Sequence, residues 1–157
     1  MRPVRRLFDL ESGPLIVRVC LIPLDSIRPH EMAREERLSE LEREIREDGR
    51  LRVPVLVDGG SGALLDGHHR VEALRRMGAR LAPAALVDYR SPGISVEPRR
   101  VDRPVSKELV VRTAREGGLM PPKTTRHVLQ LELPEVGVRL EDLGVRMDGG
   151  PGRSPEG

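Results

Sequence analysis

Residues 63–89 constrain the fold more than any other stretch. Ala63-Leu64-Leu65-Asp66 is a short apolar run ending in an acid, and Gly67 follows it directly. From there to Met77, Val71, Ala73 and Leu74 recur among charged residues at helical spacing. Gly78 stops that pattern, and a second apolar run covers Leu81 to Tyr89. Hydrophobic spacing thus passes from strand to helix and back to strand, with a glycine at each change. A helix tightly linked to two strands must bury its apolar face on the sheet they join.

The rest of the chain can be fitted around that unit. Leu15–Ile22 is β-branched and predicts a strand. Residues 33–48 predict a helix, with Leu38, Leu41 and Ile45 on one face and Asp48-Gly49 at its end. Val53–Asp58 predicts a strand, and Gly59-Gly60-Ser61-Gly62 a tight turn. Residues 91–104 read as a Pro/Arg-rich connection. Ser106 should cap a helix running to Glu116. Residues 128–133 and Val136–Leu140 predict strands, and Glu141–Gly144 a short helical turn. The expectation is an α+β fold: a small mixed β-sheet with packed helices. Residues 1–14 would be a tail or a loose strand, 15–145 one domain, and 146–157 a disordered tail.

Composition narrows what such a domain can do. Basic residues number 27 and acidic residues 25. All but Lys107 and Lys123 of the basic ones are arginine, which explains a pI near 9.2 at a net charge of +2. Phe8 and Tyr89 are the only aromatic residues besides histidine. A base-stacking surface is therefore not expected, and nucleic acid is not an expected partner. Cys20, the single cysteine, can form neither an internal disulfide nor a cysteine-rich zinc site, and lies in a predicted strand as a core thiol. The apolar runs are too short for a membrane span and the N-terminus is too acidic for a leader, so a cytoplasmic location is expected.

Against this background histidine and lysine are informative. All four histidines fall in three junction segments: Arg28-Pro29-His30-Glu31, Asp66-Gly67-His68-His69-Arg70 and Lys123-Thr124-Thr125-Arg126-His127. The second places donors on the first turn of a helix, where free N–H groups and the dipole attract anions. Cations there oppose the dipole, which a bound phosphate would offset. The third sets hydroxyls among possible cations, a dense set of phosphate donors. In the first, Glu31 on a proline-stiffened loop is a candidate general base. His68 and His69 are adjacent on a helix and do not share a face, so a histidine-based zinc site is not expected. A hard divalent ion would use carboxylates and substrate phosphates, with Asp66 and Glu31 as its candidate ligands.

The run from Leu21-Ile22-Pro23-Leu24-Asp25-Ser26-Ile27-Arg28-Pro29 through Gly67-His68-His69-Arg70 to Ala73-Leu74 and Met77-Gly78 resembles the ParB N-terminal/sulfiredoxin-like superfamily. Arg-Pro-His-Glu, Asp-Gly-His-His-Arg and Lys-Thr-Thr-Arg-His, in that order, are most similar to the ParB-like free serine kinases. That resemblance implies transfer of a phosphoryl group from ADP or ATP, with Mg²⁺, to the hydroxyl of L-serine or a similar small hydroxyl metabolite, giving O-phosphoserine. It implies that Glu31 accepts the hydroxyl proton and that Asp66 supports the site and the metal. Gly67, His68, His69 and Arg70 would cradle the phosphates. Lys123, Thr124, Thr125, Arg126 and His127 would close the site from the other side. The family's longer segment before Lys-Thr-Thr-Arg-His, and an aromatic within it, have no counterpart in 90–122. The alternative is a non-catalytic ParB-like nucleotide-binding regulatory module, with no helix-turn-helix domain expected in the residues after Pro122. A sulfiredoxin-type reductase is excluded, because His68 stands where its cysteine would. Oligomeric state is left open.

Overall fold

The computed structural model describes residues 2–147. Nine strands are described: β1 (Arg5–Ser12), β2 (Leu15–Pro23), β3 (Arg50–Leu51), β4 (Val55–Asp58), β5 (Leu64–Asp66), β6 (Leu81–Val87), β7 (Ile94–Pro98), β8 (Thr125–Leu129) and β9 (Val138–Arg139). The α-helices are α1 (Glu35–Asp48), α2 (His68–Arg76) and α3 (Lys107–Glu116), with 3₁₀ turns at Leu24–Ser26 and Leu140–Leu143. The main sheet runs β1-β2-β6-β4-β5. Only β4 and β6 are parallel; every other pair in it is antiparallel. The mixed α+β sheet expected from the sequence is what forms.

Strand β6 is central, and its sequence shows why. Ala82, Ala84 and Leu86 face a core made with α1 and α2, whereas Ala85 and Val87 face a second core made with α3. A strand covered on both faces reads as an unbroken apolar run. Ile45 of α1 and Val71 and Leu74 of α2 are buried on the first side. On the second, Val110 and Ala114 of α3 pack with Ile94 and Tyr89. Gly49 ends α1 in the left-handed conformation, φ 78°, and its N–H bonds the Ile45 carbonyl. Ser106 caps α3 by accepting the Leu109 N–H at 3.1 Å.

Several expectations are corrected. Of tail or strand, residues 5–12 are a strand, paired with β2 along their length. The connection 91–104 contains β7. The strand expected at 128–133 is β8, which begins at Thr125 and ends at Leu129, because its pairing with β7 sets its limits. Val136–Leu140 shortens to the two residues of β9, paired with β3. The expected tail lies outside the described residues from 148 onward. Cys20 is a buried free thiol, and burial pushes its pKa up. Among the described residues no helix is long and apolar enough to cross a membrane.

One connection places the site. Residues 28–32 run extended beside β5: Arg28 N–H bonds Gly62 O and Leu64 N–H bonds Arg28 O, both at 2.8 Å. On its other side the same segment meets Met120, through Met120 N–H to His30 O at 2.7 Å and Met32 N–H to Met120 O at 2.8 Å. Residues 30–31 are thereby held between the β5–α2 turn and the start of β8.

Candidate functional site

The turn into α2 requires a glycine. Gly67 has φ 108°, and a Cβ there would stand 2.6 Å from Val55 Cγ1. No side chain caps the helix. Asp66 does not: its side chain is 73% exposed, with Arg70 Nη2 at 3.8 Å. The first two helical residues face the 28–34 segment instead. His68 Nε2 accepts the His30 N–H at 3.1 Å, and His69 Nε2 accepts the Arg34 N–H at 2.9 Å. An imidazole nitrogen that accepts an amide proton carries none itself, so both rings are neutral with Nδ1 protonated. Burial, and then His30, His127 and His69, hold the His68 pKa well below the usual histidine range. Burial also lowers that of His69, helped by Arg37, Arg34 and Lys123 against Glu31. The expected cations opposing the α2 dipole are thus absent from both positions.

Arg70 turns back from the helix start. Nη1 donates to the carbonyls of Val53 at 2.9 Å and Pro54 at 3.0 Å, which fixes the chain entering β4. Burial lowers its pKa, and Asp66 partly opposes that. A guanidinium so engaged has only its remaining N–H groups for a ligand.

Both oxygens of the Glu31 carboxylate are engaged. Oε1 accepts the Lys123 N–H at 3.1 Å, and Oε2 accepts the Thr125 N–H at 2.8 Å while also meeting Thr125 Oγ1. Lys123 is the only described non-glycine residue with positive φ, 57°, and that geometry accompanies the turn of its N–H toward Glu31. Thr125 Oγ1 in turn lies 2.9 Å from His30 Nε2, and His30 Nδ1 lies 2.8 Å from the Leu64 carbonyl. His30 is fully buried. Burial lowers its pKa, partly opposed by Glu31 and the Leu64 carbonyl.

From Thr125 onward the third segment is a strand rather than a loop, and this divides it. Successive side chains of a strand point to opposite faces. Thr125 and His127 turn inward, whereas Arg126 is 67% exposed beside Glu97, at 3.9 Å. Thr124 is buried and donates to the Pro121 carbonyl at 2.6 Å. His127 Nε2 lies 2.7 Å from the Tyr89 hydroxyl, and its buried Nδ1 has no hydrogen-bond partner. Burial, with His30 nearby, takes the His127 pKa down to about 3. Burial and Asp58 push Tyr89 the other way, so its hydroxyl stays protonated. The His30 ring stands edge-on to those of His68 and His127, with centroids 4.6 and 6.1 Å away. Sequence reasoning passed over His30 as a site residue, as well as Tyr89. The scarcity that singled out lysine applied equally to the one tyrosine.

The structure thus brings together Glu31, Gly67, His68, His69, Thr125 and His127. Asp66 and Arg126 stand apart from that cluster, and Arg70 and Thr124 hold backbone. A Mg²⁺ ion held by protein side chains alone finds no group of three ligands among the described residues. Asp66 is solvated, and Glu31 is surrounded by N–H and O–H donors.

The fold is that of a solved free serine kinase. That kinase, in complex with AMP, matches with a TM-score of 0.73 at 18% identity, over 80% of this chain and 93% of that one. A C-terminally truncated SbnI from Staphylococcus aureus matches with a TM-score of 0.64 at 16% identity, over 83% and 89%. In sequence, the chain is 35% identical over 77 residues to an ATP-dependent L-serine kinase of Staphylothermus marinus, covering 46% of this chain and 31% of that protein. It is 32% identical over 79 residues to the ADP-dependent L-serine kinase SerK of Thermococcus kodakarensis, covering 48% and 33%. A ParB-like protein of Sulfolobus acidocaldarius is 34% identical over 86 residues, covering 55% and 42%. The matched segment thus spans only about a third of the length of those two kinases. No family model matches the chain. The resemblance is met in the fold, and in sequence over about half of the chain.

Proposed function

We propose that the protein is a phosphotransferase that moves a phosphoryl group from ADP or ATP to the hydroxyl of free L-serine or a similar small hydroxyl metabolite. The observation that carries this reading is Glu31, held by two backbone N–H groups beside the uncapped start of α2. Its side chain keeps a tenth of its surface exposed, enough to meet one hydroxyl. The free N–H groups of the first α2 turn would receive nucleotide phosphates. Lys123, Arg34 and Arg37, the cations whose fields reach His69, would add positive charge at that end. The names of the matched kinases, and the AMP and ADP complexes of the free serine kinase, support both the donor class and the acceptor. Mg²⁺ would arrive as the counter-ion of the nucleotide.

In this reaction Glu31 takes the hydroxyl proton as the acceptor oxygen forms its bond to phosphorus. The bond from phosphorus to the nucleotide's bridging oxygen breaks, and the nucleotide leaves one phosphate shorter. Incubation with L-serine, Mg²⁺ and either ADP or ATP should yield O-phosphoserine. Glu31→Gln should lower turnover by a factor of about 10² or more while nucleotide affinity persists. Protein that binds nucleotide but forms no O-phosphoserine would overturn serine as acceptor and favour the regulatory alternative.

A further inference from the structure

Three contacts join Leu64, His30, Thr125 and Glu31 in file. They are Leu64 O with His30 Nδ1 at 2.8 Å, His30 Nε2 with Thr125 Oγ1 at 2.9 Å, and Thr125 Oγ1 with Glu31 Oε2. Counting protons shows what this file is set to receive. A carbonyl only accepts, so the first contact fixes the proton of neutral His30 on Nδ1. Nε2 is then an acceptor and calls for the Thr125 hydroxyl proton. That hydroxyl has one proton and faces two acceptors, His30 Nε2 and Glu31 Oε2, so one of its two contacts lacks a proton while Glu31 is a carboxylate. Three contacts need three protons, and neutral His30, Thr125 and a Glu31 carboxylate supply two.

We propose that His30 and Thr125 are positioning residues that fit Glu31 to hold one proton, and that the proton from the acceptor hydroxyl completes the file. When the hydroxyl proton settles on Oε2, it bridges to Thr125 Oγ1, and every donor in the file faces an acceptor. The new O–P bond forms as that O–H bond breaks, and no further reactant is needed. His30 has no exposed surface from which to touch substrate, so it acts only through Thr125. Burial disfavours its imidazolium form, which keeps the added proton at the Glu31 end.

This inference rests on Glu31 as the base, and the test separates the two. Thr125→Val removes the bridging oxygen at similar volume, and Thr125→Ser restores it. The valine variant should lose tenfold or more in kcat with KM for both substrates unchanged, and the serine variant should stay within about threefold of the parent, as expected of a group serving acid–base transfer. Equal kcat in both variants overturns the file while leaving Glu31 as base. Undiminished turnover in Glu31→Gln overturns the base itself. A second measurement needs no turnover: ¹⁵N spectra of the histidine rings should show His30 protonated on Nδ1 and bare on Nε2, with the Nε2 shift of the parent kept in Thr125→Ser and moved in Thr125→Val. A proton on His30 Nε2 at neutral pH would overturn the proton order.

Discussion

Arg70 illustrates how a residue type can be legible while its task is not. An arginine on the first turn of a helix beside two histidines reads as a phosphate ligand. In the fold its Nη1 spans the carbonyls of Val53 and Pro54. Nothing local in the sequence shows that 53–54 passes beneath it, since only the β4–β5 hairpin brings them together. Arg70→Ala should therefore cost stability first, about 2 kcal/mol for two charge-assisted bonds lost to acceptors near the surface. Denaturant midpoints would measure this, and an unchanged midpoint would show that those bonds carry nothing. His68 and His69 make the same point about charge. Both were legible as site residues, but their neutrality follows from amides thirty-odd residues away in sequence.

At the scale of elements, the short α2 helix acts as a clip. Its first two side chains hold the N–H groups of His30 and Arg34, so the segment leading into α1 is fixed from below. His69→Ala should leave the Arg34 amide free of its acceptor. Hydrogen exchange at Arg34 should then quicken at least tenfold, with the amides of β6 unchanged; equal protection at Arg34 would refute the clip. The sequence showed α1, α2, α3, β2, β4 and β6 because each combines a clear hydrophobic period with a glycine or serine boundary. It did not show β7, whose residues Ile94–Pro98 lie in a Pro/Arg-rich stretch and are ordered by pairing with β8. That omission had a cost at the site. Lys123–His127 read as a loop would direct all its donors inward, whereas strand geometry sends Arg126 to the opposite face from Thr125 and His127.

For the whole molecule, the burial of its histidines sets a dependence on pH. All four have pKa values lowered on folding, in each case chiefly by burial. The unfolded chain therefore binds more protons than the native one once the pH drops below the ordinary histidine value of 6.5. Stability is full above that value and is lost as pH falls toward the folded values, about 3 for His127. Each unit of depression corresponds to about 1.4 kcal/mol. The unfolding midpoint should thus fall steeply between pH 6.5 and 4, and His127→Gln should flatten part of the fall. A midpoint constant across that range would contradict the neutral burial of these rings.

The extended course of residues 28–32 has one more consequence. A β-sheet ends in a row of unpaired amides and carbonyls, which can recruit a strand from another chain. Along the start of β5 that row is occupied by Arg28, through the bonds to Gly62 and Leu64. The segment that closes this side of the sheet against aggregation is the one that carries Glu31. Any motion that peeled it away to admit a substrate would also bare a template for self-association. Selection for solubility and selection for a well-placed carboxylate therefore act on the same few residues.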